Sequence, residues 1–145
     1  EAEIQGGYFD QNLKFDSNDY AWSEYATKLY FAVYRAWLRE LHGRVRRFER
    51  DQTLHGLSSL EGRVSIHFTI HRDGGVSRLQ VRNPSRLPAL DEASEAALRR
   101  AVIPPLPDDF PRDQEGVTFG FELRGFRSAQ QLERQLEWSR SKGEF

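Results

Sequence analysis

Four histidines are the first residues in this 145-residue chain that suggest chemistry. His67 and His71 lie four positions apart in an alternating strand pattern, so their Cα atoms would be roughly 13 Å apart at strand rise. That separation excludes direct ligation of one metal ion by this pair. A site assembled with His42 and His55 is imaginable, but no acidic ligand lies at metal-motif spacing. We therefore predict no metal site.

The carboxylates also have a simpler explanation than catalysis. Asp108, Asp109 and Asp113 lie in a proline-rich stretch, where a solvated loop explains them better than an acid–base pair. The chain carries no nucleophile-elbow motif, phosphate-binding loop or dinucleotide fingerprint. It has no Cys, which removes disulfides, thiolate metal ligands and cysteine nucleophiles. We predict that the protein is not an enzyme and uses no cofactor.

One short segment concentrates positive charge that would suit a nucleic-acid or phospholipid surface. Its arginines are Arg44, Arg46, Arg47 and Arg50. Acidic residues are interleaved with them, and the 21 basic residues of the whole chain balance 22 acidic ones, for a net charge of −1. A solvated helix end is therefore the favoured explanation, and we predict no nucleic-acid partner.

The elements that position these residues are clearest in the second half of the chain. Apolar residues occupy every second position of a predicted strand: Val64, Ile66, Phe68 and Ile70. Asp73-Gly74-Gly75 favours a two-residue hairpin connection to an antiparallel strand, in which Val76 is out of phase and predicts a bulge. A short helix follows, with Asp91 as its cap. A stiff proline crossover at residues 103–111 then leads to a third alternating strand at residues 117–123.

Helical spacing of apolar residues predicts a long helix over residues 17–51, with Gly43 as the place where it would kink. Aromatic side chains widen its apolar stripe beyond the usual arc. Such an arc is either sandwiched inside the domain or bound to a partner. Core packing is the simpler explanation, but the aromatic set remains a second candidate partner surface: Trp22, Tyr25, Tyr30, Tyr34 and Trp37.

The order of these pieces resembles the C-terminal domain of the TonB/TolA family of periplasmic energy transducers. The residues that carry the resemblance are Gly62-Arg63-Val64, Arg72-Asp73-Gly74-Gly75-Val76, Asn83-Pro84-Ser85, Leu90-Asp91-Glu92-Ala93, Pro104-Pro105-Leu106-Pro107 and Val117-Thr118-Phe119-Gly120-Phe121-Glu122-Leu123. The best-known members carry a Tyr-Pro pair after the helix, where this chain has Ile103-Pro104. The resemblance therefore indicates a divergent TonB-like or TolA-like transducer.

The resemblance implies a periplasmic domain of an inner-membrane-anchored protein. The segment before it would supply a transmembrane helix and spacer that contact the proton-driven motor proteins. The partner would be an outer-membrane receptor or another envelope protein, which adds a strand to the last strand of the sheet. The strand-addition residues are then Val117, Thr118, Phe119, Gly120, Phe121, Glu122 and Leu123. Members of the family can also exchange strands into homodimers.

Together these patterns predict an α+β fold. A short, mostly antiparallel three-stranded sheet packs against one short helix, with a long N-terminal helix and a C-terminal helix. We divide the chain into an N-terminal arm or edge strand (residues 1–16), the long helix with its linker (17–61), the TonB/TolA-like domain (62–125) and a helical tail (126–145). No run of about 18 apolar residues and no signal-peptide pattern is present. Because the sequence also contains no Met, we expect an excised soluble domain of a longer protein.

Three functions remain open at this point. The first is energy transduction by protein binding, which would drive transport across the outer membrane. The second is a TolA-like tether for envelope integrity or a motility complex, without a transport role. The third is a ligand-binding accessory module of an enzyme, which would use the aromatic helix stripe.

Overall fold

The structure is a computed structural model that describes residues 7–145. Within that range four strands and four helices follow in the order β1 (Tyr8–Phe15), α1 (Ser23–His42), α2 (Val45–Leu54), β2 (Leu60–His71), β3 (Val76–Asn83), α3 (Pro88–Arg100), β4 (Gln114–Phe126) and α4 (Ala129–Ser141). The predicted α+β class is confirmed. The first six residues of the predicted N-terminal arm lie outside the described residues.

The sheet is antiparallel and has the strand order β1-β4-β2-β3. The three-stranded prediction was one strand short, because β1 pairs with the side of β4 that the prediction left open. In β1 the side chains of Phe9, Leu13 and Phe15 are half-buried, whereas Tyr8 and Asn12 are exposed. This alternation places one face of β1 against the helices and the other in solvent.

The hairpin between β2 and β3 contains the bulge that the sequence predicts. The register shifts between Ser65 and Ile66 and again between His67 and Thr69, and Arg78 in β3 has a φ of 58°. The connection itself is longer than the predicted two residues, since residues 72–75 separate the two strands. The connection is stabilised by the amide of Gly75, which donates to the Asp73 carboxylate at 2.9 Å.

The proline crossover is tied directly to this hairpin. The guanidinium of Arg72 donates to the carbonyl oxygens of Pro107 and Phe110, both at 2.8 Å, and also to that of Arg112. In return, the amide of Leu106 donates to the Arg72 carbonyl at 3.1 Å. Because proline cannot donate to a ladder, these bonds replace the strand pairing that the crossover lacks.

The long helix predicted over residues 17–51 is two helices. α1 begins at Ser23, and the chain turns after His42, where the amide of Arg44 donates to the Leu41 carbonyl at 3.0 Å before α2 starts. The turn falls at Gly43, the predicted kink. It allows Phe48 of α2 to be fully buried while the neighbouring arginines stay at the surface.

Helix α3 begins at Pro88, and Asp91 is not its cap. The carboxylate of Asp91 instead accepts from the amide and hydroxyl of Ser85, at 3.1 Å and 2.7 Å. The buried carboxylate of Asp51 in α2 accepts from the amide of Ala89 at 2.9 Å. A side chain distant in sequence therefore satisfies an N-terminal amide of α3, where negative charge is also favourable.

The core lies between the sheet and the helices. Trp37 of α1 is fully buried, with its ring 5.1 Å from the ring of Phe121 in β4. Its indole nitrogen donates to the hydroxyl of Ser94 in α3 at 3.1 Å. Trp37 thus joins α1, α3 and the sheet, and its buried polar atom is hydrogen-bonded.

Helix α4 packs against α2 and does not cover an edge of the sheet. Ser128 caps it by accepting from the amide of Gln131 at 3.2 Å, and Leu132 and Leu136 are fully buried. The predicted C-terminal helix is therefore integrated into the domain through one apolar face.

A buried carboxylate connects three helices. Glu40 is 8% exposed and accepts from Arg44 at 2.6 Å and from Arg100 at 2.9 Å and 3.0 Å. Burial raises the pKa of Glu40, but the hydrogen bonds from the two arginines outweigh it and hold the pKa below its ordinary value of 4.5. A lowered pKa in the folded state stabilises the fold above the unfolded pKa, and this contribution is lost as the pH falls through the folded pKa.

We expect Glu40→Gln to lower the free energy of unfolding by about 1–2 kcal/mol at pH 7, because it removes charge-assisted hydrogen bonds. The difference from the unaltered protein should shrink as the pH falls from 4.5 through the lower pKa of the folded state, where the native carboxylate becomes protonated as well. Urea unfolding at pH 7, 5 and 3 measures it. Glu95→Gln is the control, because the ion pair between Glu95 and Arg99 is exposed. This pair should contribute less than about 0.5 kcal/mol to the free energy of unfolding. A difference that is constant with pH would show that the charge of Glu40 contributes nothing.

Candidate partner-binding site at the last strand

Strand β4 lies inside the sheet and is hydrogen-bonded on both edges. It pairs with β2 along its length and with β1 from Val117 to Arg124. The predicted strand-addition residues, 117–123, therefore already have a strand on the side that the prediction left for a partner. That strand is β1.

One hydrogen bond shows which residues of β4 direct their main-chain N–H and C=O groups toward β1. The amide of Asp16 donates to the Gly116 carbonyl at 2.9 Å, and hydrogen-bonded pairs recur at every second residue of an antiparallel ladder. Thr118, Gly120 and Glu122 are therefore the β4 residues whose main-chain groups face β1. Their partners in register are Lys14, Asn12 and Asp10. A partner strand added to β4 needs these same three positions.

The outer face of β4 combines a small residue with charge. A Cβ on Gly120 would lie 2.8 Å from the side-chain amide oxygen of Asn12. The absence of a side chain at Gly120 therefore allows the Asn12 side chain to lie directly against the β4 backbone. The Glu122 carboxylate lies 3.5 Å from Arg63 and 3.7 Å from Arg124. These are surface pairs of small energy, so the charges can reorganise around a different strand.

Aromatic contacts hold the two ends of β1. The ring of Phe15 stacks on Trp22 with centroids 4.1 Å apart and an interplanar angle of 5°. At the other end, Phe9 lies 5.2 Å from the ring of Phe126 and 6.0 Å from that of Trp37. β1 is thus anchored at its ends by burial of large apolar side chains.

The middle of β1 is less well satisfied. Gln11 is 4% exposed, and its amide nitrogen donates to the Tyr30 carbonyl at 2.9 Å, but its side-chain oxygen has no hydrogen-bond partner among the described residues. An unsatisfied buried polar atom costs about 1–3 kcal/mol. This glutamine also interrupts the alternation of Phe9, Leu13 and Phe15, which is the sequence signal for β1 that the three-stranded prediction did not use.

The aromatic residues proposed as a second partner surface do not form an exposed surface in this structure. Trp22, Tyr25 and Trp37 are buried, and Tyr30 and Tyr34 are half-buried, with ring centroids 5.9 Å apart. The hydroxyl of Tyr25 donates to the carbonyl of Pro104 at 2.7 Å, and burial raises its pKa. The wide apolar arc is therefore sandwiched, because β1 and the proline crossover cover it.

Each of three histidines has a local hydrogen-bond partner. His67 lies 2.9 Å from the Asp16 carboxylate, and His71 lies 2.6 Å from the Ser77 hydroxyl. His42 lies 2.7 Å from the Glu137 carboxylate, and this hydrogen bond is the largest cause of the lowered pKa of Glu137. In the part of the chain that the structure describes, no group of three or more His, Asp and Glu side chains could hold a metal ion.

The carboxylates of the proline crossover also make local contacts. Asp109 accepts from the hydroxyl of Tyr20, which raises the pKa of Tyr20 to about 12. Asp113 is almost fully exposed and lies 3.8 Å from Arg72. These contacts tie the crossover to its surroundings and do not converge on a pocket.

Residues 57–123 match the family model described as the Gram-negative bacterial TonB protein C-terminal. These residues are a TonB C-terminal domain. The match confirms the family that the motifs indicated. TonB C-terminal domains are periplasmic, non-enzymatic parts of energy transducers, and in general they interact with outer-membrane receptors. No curated protein and no solved structure matches the chain.

The TonB C-terminal domain does not include every element of this fold. The matched residues contain β2, β3, α3 and β4 as far as Leu123, whereas β1, α1, α2 and α4 lie outside the match. The strand that covers the last strand of the TonB domain is therefore supplied by the preceding part of the chain. Within residues 7–145, no helix has both the length and the apolar character needed to cross a membrane.

Proposed function

We propose that this protein is the partner-binding domain of an inner-membrane-anchored, TonB-like transducer, and that an outer-membrane receptor adds a strand to β4 at residues 117–123 after β1 leaves. The observation that carries the proposal is the position of β1. It lies outside the TonB segment and occupies the hydrogen-bonding positions of Thr118, Gly120 and Glu122. In this view β1 is an internal substitute for the receptor strand.

The fold allows β1 to leave without losing the rest of the sheet. β1 is an edge strand that pairs only with β4, and β4, β2 and β3 remain connected when it is removed. An incoming strand would restore the ladder bonds on β4, and release of β1 would let the Gln11 oxygen reach water. The aromatic contacts of Phe9 and Phe15 are the main cost of release.

Strand addition also suits mechanical work. Ladder bonds run perpendicular to the strands, so a pull along the added strand is shared by several bonds at once. The domain can then transmit motion from a proton-driven inner-membrane motor to the receptor without chemistry of its own. A second copy that donates its own β1 would use the same bonds, so the proposal includes a strand-exchanged dimer as an alternative state.

The tether without a transport role is the second candidate function. The closed edge of β4 favours it, since a domain whose β1 never leaves must bind through another surface. Ile103 in place of the tyrosine of the Tyr-Pro pair also separates this chain from the receptor-binding members that it resembles. Capture of an outer-membrane receptor in a pull-down distinguishes the two functions.

Phe15→Ala is expected to increase capture of an outer-membrane receptor about 3- to 10-fold, because weaker anchoring of β1 raises the population with a free β4 edge. The measurement is a pull-down from a detergent-solubilised outer-membrane extract, with captured proteins identified by mass spectrometry. Phe145→Ala is the matched control, because Phe145 is also partly buried but its ring contact is with His42, which does not hold an end of β1.

Circular dichroism checks that both variants are folded. If Phe15→Ala and the unaltered protein capture equal amounts of receptor, release of β1 is not part of binding. Receptor binding itself would still be supported. Capture of periplasmic or motility proteins in place of any receptor would overturn transduction in favour of the tether.

A further inference from the structure

A shallow groove runs along the outer side of α1, away from the sheet. Its volume is about 430 Å³, and it lies where α1 meets the C-terminal end of α3. Three alanines and two larger apolar side chains, Phe31 and Val102, are among the residues that line it. Phe31 is 56% exposed and Val102 is 89% exposed. Val102 follows the end of α3 at Arg100, and its side chain lies in solvent.

Exposed apolar side chains are few in this domain, and half of them belong to the groove. Among the described residues four large hydrophobic side chains are exposed: Tyr8, Phe31, Leu54 and Val102. Phe31 also lines a smaller pocket between α1 and β1, together with Leu13 and Tyr30. An apolar concentration of this kind on a small domain is typical of a contact surface.

The charge of the groove is all of one sign. Its charged lining residues are Lys28, Arg35, Arg39 and Arg100. Arg100 is neutralised by Glu40 at 2.9 Å, but no ion pair to a described carboxylate is formed by the other three. In the arginine cluster around the start of α2, by comparison, Arg44 and Arg47 are paired with Glu40 and Glu92, whereas Arg46 and Arg50 form no ion pair to a described carboxylate. A chain with a net charge of −1 thus keeps an unneutralised positive patch at this place.

We propose that this groove binds an acidic peptide segment of a partner protein that carries a large apolar side chain. Carboxylates of the segment would pair with Lys28, Arg35 and Arg39, and its apolar side chain would pack between Phe31 and Val102. The charge complementarity selects an acidic occupant, and the exposed apolar pair selects one with an apolar anchor.

The spacing of the cations sets the length of the segment. Lys28 and Arg39 are eleven residues apart on one helix, which corresponds to about 16 Å along the axis. An extended segment of about five residues, or three turns of a helix, covers that length. None of the residues that line this groove belongs to β4, so the groove is a second surface beside the strand-addition site.

The test measures fluorescence anisotropy of a labelled, blocked peptide in which four glutamates flank a leucine and a phenylalanine. The full chain is titrated at 0.05 M and 0.15 M salt. Binding is expected to be about tenfold weaker in the double variant Arg35→Glu/Arg39→Glu, and about fivefold weaker in Phe31→Ala. Both changes are at exposed positions, so the variants should fold normally.

Arg46→Glu/Arg50→Glu is the matched control, because it changes the net charge equally at exposed positions of α2. It should bind the peptide as the unaltered protein does. Equal weakening in this control, or absence of peptide binding by the unaltered chain, would overturn the proposal. Binding to phosphatidylglycerol vesicles that depends on Arg35 and Arg39, without peptide binding, would overturn it in favour of a lipid surface.

Discussion

Oxidation of the double variant Lys14→Cys/Thr118→Cys is expected to abolish receptor capture. Lys14 and Thr118 are partners in register between β1 and β4. A hydrogen-bonded antiparallel pair has its Cα atoms about 5.5 Å apart, a separation that a disulfide spans without backbone movement. Both side chains lie on the outer face of the sheet, so the core stays unchanged. The chain has no Cys that could compete for the new thiols.

The physical reason is that a cross-linked β1 cannot leave the edge of β4. Thr118, Gly120 and Glu122 then keep their present partners, and no receptor strand can bond to them. Reduction of the same sample should restore capture fully, so each preparation serves as its own control. The measurement is the pull-down from outer-membrane extract before and after treatment with a reducing agent.

A second cross-link tests whether any disulfide within the sheet prevents receptor capture, or only one that holds β1. Thr69→Cys/Ser77→Cys joins the partners Thr69 and Ser77 of β2 and β3 and leaves β1 free. Its oxidised form should capture the receptor normally. Equal capture by the oxidised and reduced forms of the β1–β4 variant would rule out replacement of β1 as the binding step.

Gly74→Ala is expected to lower the free energy of unfolding by about 2–4 kcal/mol. Gly74 has a φ of +92°, which L side chains rarely adopt. A Cβ there would also lie 2.4 Å from the carbonyl oxygen of Ile103 in the proline crossover. Since that neighbour is backbone, the contact is relieved only if the hairpin and the crossover separate.

Gly56→Ala is the matched control for the backbone conformation alone. Gly56 has a φ of +61°, and a Cβ there would meet nothing within 4 Å. We expect a cost of about 1 kcal/mol at this position. Urea unfolding of both variants measures the difference, which isolates the contact with Ile103. Equal costs at the two positions would mean that the close approach of hairpin and crossover adds nothing to stability.

The Arg72-Asp73-Gly74-Gly75 motif has a structural role. Arg72 donates to carbonyl groups of the crossover, and Gly74 allows the hairpin to lie directly against it. The crossover in turn delivers the chain to the start of β4. The motif therefore supports the position of the candidate partner-binding strand without contacting a partner.

The sequence by itself determined the elements whose pattern is local. Alternation of apolar residues identified β2 and the part of β4 at residues 117–123, and the phase of Val76 revealed the bulge. The order and spacing of the turn, helix and proline motifs identified the TonB C-terminal domain. These features depend on neighbouring residues, whose conformational preferences act within a few positions of each other.

Only the tertiary structure decided which surfaces are free. Phe15 of β1 pairs with Val117 of β4, and Asp51 caps a helix 38 residues further along the chain. Such contacts depend on how the chain returns upon itself, and Gln11 weakens the local alternation that would have indicated β1. For the aromatic stripe of α1 the sequence favoured core packing but left a partner surface open, and in the structure β1 and the crossover cover the stripe. The same long-range packing closes the edge of β4, because strand pairing is decided by neighbours in space.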